Sequence, residues 1–92
     1  MIKSFRCKDT ERLFHRLSSK FPTEIGRNAL RKLLLLDAVE RLEDLRVPLG
    51  NRLEKLAGNR RGQHSIRINE QWRISFRWHQ ADAYDVEITG YH

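Results

Sequence analysis

Gln63-His64-Ser65-Ile66-Arg67-Ile68-Asn69-Glu70-Gln71-Trp72-Arg73-Ile74-Ser75-Phe76-Arg77-Trp78 alternates apolar and polar residues on both sides of a short polar break. That is the pattern of a β-hairpin. Side chains alternate across a strand, so Ile66 and Ile68 share a face on the first arm, and Trp72, Ile74, Phe76 and Trp78 share one on the second. This apolar face is the expected core. The opposite face carries Ser65, Arg67, Arg73, Ser75 and Arg77, so three guanidinium groups stand on one side of a rigid sheet, spaced by the pleat. A cationic sheet face fits a polyanion.

Outward from the hairpin, Ile2 and Phe5-Arg6 read as a short first strand, and Asp9 or Thr10 offers an N-cap oxygen for a helix through Leu13, Phe14 and Leu17. Pro22 separates this helix from a second, longer one starting near Thr23, with Leu30, Leu33, Leu34, Ala38, Leu42 and Leu45 at three- and four-residue spacing. Its apolar stripe, including the run Leu33 to Leu36, is read as core against the hairpin, with Asp37 at a slight break. Val47-Pro48-Leu49-Gly50-Asn51 ends the helical half, and Arg52 to Leu56 is a candidate strand. Gly58 to Gly62 forms a tight polar connection into the hairpin. Beyond it, His79 to Ala83 is read as a turn, and Tyr84, Val86 and Ile88 alternate with Asp85, Glu87 and Thr89 in a last strand. Strand, two helices, then three or four strands make an α+β domain with a mostly antiparallel sheet of four to five strands.

Ninety-two residues suit one small domain spanning 1–92, with any site built on the surface of its single core. Eighteen Lys and Arg against twelve Asp and Glu give a net charge of +6. Thirteen of the eighteen are Arg, the cation suited to bidentate phosphate contacts. Nucleic acid is the leading partner; a basic surface kept for solubility is the alternative. Cys7 is the only cysteine, which excludes an internal disulfide and a Cys-based zinc finger and fits a reducing, cytoplasmic setting. Met1 to Arg6 carries an alternating pattern rather than an apolar signal core, and no run approaches the length of a membrane span.

His15, His64, His79, His92 and Cys7 lack the short spacings that organise a zinc site, no Gly-rich phosphate loop opens a helix, and no serine or cysteine has a nucleophile setting. No metal and no cofactor are expected. Metal-free RNA cleavage remains open, because the substrate brings its own 2′-hydroxyl nucleophile. It needs a base, cations at the pentacoordinate phosphorus, and an acid for the departing 5′-oxygen. Arg73 and Arg67 can supply the cations, and His92 can act as acid or base near neutral pH. Tyr91 can position, stack on a base or donate a proton, although a terminal Tyr-His pair also reads as frayed surface.

The sequence resembles the HigB toxins of bacterial toxin–antitoxin systems, within the wider RelE family. The likeness covers essentially the whole chain. It is carried by Met1 to Phe5, by Gly50-Asn51-Arg52-Leu53-Glu54-Lys55-Leu56 with Gly58-Asn59-Arg60 and Gly62, by Ser65 to Asn69 with Gln71-Trp72-Arg73-Ile74 and Phe76, and by Tyr91-His92. It implies a compact microbial RNase-like RelE fold with two N-terminal helices packed on the sheet. It also implies a metal-independent, ribosome-dependent endoribonuclease that cleaves mRNA, and a HigA-like helix-turn-helix antitoxin that brings the complex to operator DNA. By position, the catalytic group falls on His92, Tyr91, Arg73 and Glu54. RNA contacts are expected from Arg67, Arg60, Arg61, Arg77, Lys55 and Trp72. His64, in register with Ile66 and Ile68, is read as packed.

Two positions depart from the best-known pattern of the family. Glu54 stands where some members have His, and Gly90 where they have Asp. Glu54 serves as a base provided the site desolvates it, whereas Gly90 leaves His92 without one orienting carboxylate. The competing readings are a basic RNA- or ribosome-binding module with weak or no nuclease activity, and an antitoxin-binding subunit.

Overall fold

The computed structural model describes residues 1–60 and 62–90. Its sheet is an antiparallel meander of four strands in consecutive order: β1 (Glu54–Lys55), β2 (Gln63–Arg67), β3 (Trp72–His79) and β4 (Asp82–Gly90). Two helices, α1 (Lys8–Phe14) and α2 (Thr23–Ala38), cover one face. The fold class is therefore the expected one, with four strands.

The hairpin arms pair Ile66 with Ile74 and Ser65 with Ser75, which puts the apolar alternation on the helical side. Ile66, Ile74 and Phe76 are fully buried there with Val86, Ala83, Leu33, Leu36, Ala29 and Leu45. The β2–β3 turn is set by one side chain: Asn69 Oδ1 accepts from the backbone N–H of Gln71 (2.8 Å) and of Trp72 (2.9 Å). This Asx geometry replaces backbone partners that the turn cannot supply.

Several boundaries differ from the sequence reading. Ile2 and Phe5 do not form a regular strand; they pair singly with Ala83 and Val86, parallel to β4, and so occupy its outer edge. Neither Asp9 nor Thr10 caps α1, which begins at Lys8 after an extended Cys7. Thr10 is buried, and its Oγ1 accepts instead from the Ile88 N–H at 3.0 Å, so tertiary bonding outcompetes local capping. The second helix stops at Ala38, and Leu42–Arg46 is a separate 3₁₀ segment that brings Leu45 into the core. Asp37 is occupied elsewhere, accepting from the Ile2 N–H at 2.8 Å. Within the leucine run, Leu33 and Leu36 are buried while Leu34 is 40% exposed, because the buried face follows Gly26, Ala29, Leu33 and Leu36.

The last strand does not alternate regularly. Ser75 pairs with Glu87 and Arg77 with Tyr84, so Phe76 opposes two residues, Asp85 and Val86, in a β-bulge at which Asp85 takes φ 53°. Ala83, rather than Tyr84, thereby joins Val86 and Ile88 in the core. The preceding turn is tighter than expected: only Gln80 and Ala81 lie between the strands, both with positive φ.

Candidate active site

The face of the sheet away from the helices is organised in cross-strand rows. Glu54, Ser65, Ser75 and Glu87 stand opposite one another in order, and beside them run Arg67, Arg73 and Thr89. Two arginines thus sit directly opposite each other on neighbouring strands, an arrangement that costs free energy unless an anion lies nearby. Each is held in place. The Arg67 Nε–H donates to the Asn69 carbonyl at 3.0 Å, tying it to the hairpin turn, and the Arg73 Nε–H reaches Thr89 Oγ1 at 3.4 Å. Thr89 Oγ1 is also 3.2 Å from Ser75 Oγ. Ser65 and Ser75 are almost completely buried, so their row forms the floor of this face rather than a solvated surface.

At the β1–β2 edge, Arg52, Glu54, Arg67 and Glu70 line a cleft of about 190 Å³. Arg52, left-handed at φ 45° and ψ 59°, and Glu54 at the start of β1 both reach the cleft, and the hairpin turn contributes Glu70 from across it. Two guanidinium groups and two carboxylates therefore converge: the former suit a phosphate, the latter a hydroxyl proton. Glu54 is exposed at the mouth of this cleft. A second, smaller cleft of about 130 Å³ adjoins, shared by Glu54 with Lys55, Glu43, Arg46 and His64.

The expected site residues do not all assemble there. Glu54 and Arg67 line the cleft, and Arg73 adjoins Arg67. Arg60 and Arg77 are engaged by carboxylates of β4: Arg60 Nη1 is 3.0 Å from Glu87 Oε1, and Arg77 Nε is 3.3 Å from Asp85 Oδ2. Gly62, at φ 88°, passes so close to Arg77 that a Cβ there would meet its Nη1 at 3.3 Å. Lys55 lies opposite His64 and faces the second cleft. The Trp72 ring does not share the arginine face; it packs on the core and edge-on to Phe21, with ring centroids 6.3 Å apart. Its pleat position places it with Ile74 rather than with Arg73. Arg61, Tyr91 and His92 lie outside the described residues; β4 is described as far as Gly90, opposite Trp72 and one position from the Arg73–Thr89 pair.

His64 is packed as expected, its ring stacked on Phe76 at 6.0 Å. Burial, with a smaller contribution from Lys55, lowers its pKa, and its Nδ1 has no hydrogen-bond partner among the described residues. Among those residues no three of His, Cys, Asp and Glu gather where they could hold a metal ion. The sequence reading missed Arg52 and Glu70. Local spacing signals neither: Arg52 reaches the cleft from a left-handed backbone, and Glu70 only once the hairpin closes.

A cleft that mixes two guanidinium groups with two carboxylates, beside the Arg67–Arg73 pair on a four-stranded antiparallel sheet backed by two helices, defines a small α+β protein with phosphate-binding and proton-accepting groups side by side. Residues 3–92 match the HigB-like toxin family, described as the RelE-like toxin of type II toxin-antitoxin system HigB. The chain is 31% identical over 93 residues to the endoribonuclease HigB of Proteus vulgaris, spanning both proteins in full. It is 48% identical over 64 residues to toxin HigB-1 of Vibrio cholerae serotype O1 (strain ATCC 39315 / El Tor Inaba N16961), a match covering 70% of this chain and 64% of that protein. The chain belongs to the HigB-like family of RelE-like toxins. Membership of a type II system implies an antitoxin as partner.

Proposed function

We propose that this protein is the toxin of a type II toxin–antitoxin pair and acts as an endoribonuclease on mRNA at the ribosome, without a metal ion. The observation that carries this reading is the placement of Arg67 and Arg73 directly opposite each other beside the cleft that holds Glu54. The relative from Proteus vulgaris, an endoribonuclease by name and matched over its full length, supports the activity.

Chemically, a base removes the 2′-hydroxyl proton, and the oxygen attacks the adjacent phosphorus. The bond to the 5′-oxygen then breaks, leaving a 2′,3′-cyclic phosphate, while an acid returns a proton to the departing oxygen. Arg67 and Arg73 offset the charge that develops on the phosphoryl oxygens. Glu54 acts as base from the cleft, and His92, with Tyr91, acts as the acid at the leaving group. In this reading the ribosome presents the strand, and the protein acts in the cytoplasm. The antitoxin is a HigA-like helix-turn-helix protein, and operator DNA is met only through that complex.

The alternative is a ribosome-binding module with little chemistry, favoured by Gly90 where some family members have a carboxylate and by Glu54 where they have His. Purified protein added to translating ribosomes separates the two. New mRNA 5′ ends, lost by about a hundred-fold or more in His92→Gln, support the nuclease. Binding without new ends supports the module.

A further inference from the structure

Arg52 is an arginine in a backbone conformation that suits glycine. Its φ is 45° and its ψ 59°, left-handed values at which a side chain other than Gly or Asn is strained. The conformation is imposed from the preceding residue: Asn51 is fully buried, and the Arg52 N–H closes the 3₁₀ turn on the Leu49 carbonyl at 3.1 Å. Three of the other non-glycine residues with positive φ have evident local roles, Gln80 and Ala81 in a two-residue hairpin turn and Asp85 in the bulge. Arg52 takes the left-handed cap of the Leu49–Asn51 3₁₀ turn, a place that calls for glycine or asparagine and does not require an arginine. Its side chain lines the cleft with Glu54, Arg67 and Glu70. It makes no ion pair or hydrogen bond through its guanidinium among the described residues, unlike Arg60 and Arg77, whose charges are offset by Glu87 and Asp85.

We propose that Arg52 is an RNA phosphate-binding residue of the cleft, held there by its left-handed backbone and contacting a phosphate beside the one Arg67 and Arg73 serve. The assignment rests on the nuclease reading for its substrate, but its binding component can be measured without any cleavage. A strained arginine with its guanidinium open to the cleft is what a preorganised phosphate contact requires, since the cost of aiming the group is met during folding.

The test is Arg52→Gly, which removes the guanidinium and relieves the backbone, with Arg52→Asn as a second variant tolerant of the same φ. Arg16→Gly is the control: Arg16 also has positive φ (61°) and carries the same charge, but it follows α1 on the helical side. Ribosome pelleting across a salt series reads the contact, because each phosphate contact adds roughly 0.7 to 0.9 to the slope of log affinity against log salt. Arg52→Gly and Arg52→Asn are expected to lower that slope by about this amount and to raise the KM for programmed ribosomes at least ten-fold. Arg16→Gly is expected to change neither. Melting temperature in Arg52→Gly is expected to stay within about 8 °C of the wild type. An unchanged slope in both Arg52 variants, or an equal fall in Arg16→Gly, overturns the assignment. If the wild type binds but produces no new 5′ ends, the nuclease reading fails while the slope still decides Arg52.

Discussion

Asn51→Ala is expected to destabilise the fold by about 3–4 kcal/mol, although it alters one residue in a single 3₁₀ turn. Asn51 is fully buried; its Nδ2 donates to the carbonyls of Leu45 and Val47, each at 3.2 Å, and its Oδ1 accepts from Lys32 Nζ on α2. Each neutral bond contributes about 1 kcal/mol, and the charge-assisted one about 1.5 kcal/mol, near the low end because half-buried Lys32 can still reach water. Burial, assisted by Arg31, already lowers the Lys32 pKa, so the amide oxygen is what makes its charge tolerable there. With 1 kcal/mol shifting the melting temperature by about 4–8 °C in a domain of this size, the expected fall is roughly 12–32 °C. Urea unfolding followed by far-UV circular dichroism measures the free energy, and calorimetry the temperature. Asn51→Asp provides the internal comparison. It keeps an acceptor for Lys32 but sets an oxygen against two carbonyl oxygens, so it is expected to be at least as unstable as the alanine variant. A loss below about 1 kcal/mol in Asn51→Ala refutes the bonding scheme; an Asp variant as stable as wild type refutes the contribution of the two carbonyls.

Three further outcomes follow from the geometry. Glu54→Gln is expected to leave unfolding unchanged, since the side chain is exposed, and to lower cleavage on programmed ribosomes by about a hundred-fold; wild-type rates in this variant move the base elsewhere. Arg77→Ala removes a half-exposed ion pair with Asp85, so less than about 1 kcal/mol of stability and no part of the ribosome-binding salt slope is expected to go; a clearly shallower slope places Arg77 on the RNA. His64 binds its proton at lower pH folded than unfolded, so the stability it contributes is full above about pH 6.5 and is lost as pH falls through its lowered folded pKa. His64→Phe is expected to flatten that decline between pH 7 and 5 in urea titrations, and parallel curves for the two proteins contradict it.

The hairpin, its core face and the α+β class were legible in the sequence, because period-two alternation in residues 63–78 can bury its isoleucines and Phe76 in only one register. Pro22 and the leucine spacing likewise placed the second helix to within a residue of its start, since proline's missing donor acts locally. The family was legible for a similar reason: its motifs are contiguous runs. Tertiary structure decided what depends on partners distant in sequence. Thr10 bonds Ile88 instead of capping its own helix, and the bulge at Asp85 exchanges Tyr84 for Ala83 in the core. The tight Gln80–Ala81 turn carries neither Gly nor Asn, so no turn signature marked its length.

For the site, the sequence by itself determined that arginines would share one sheet face, because the pleat alone dictates it. It could not determine which of them the carboxylates of β4 would pair. Glu87 and Asp85 take Arg60 and Arg77, while Arg67 and Arg73 meet across the strands and Arg52 joins Glu54 and Glu70 at the cleft. Neutralisation depends on carboxylates brought within a few ångströms by the closing of β4 onto β3, and a guanidinium's reach depends on a backbone angle set by a buried neighbour. Neither quantity is written in local spacing; both arise only when the chain packs.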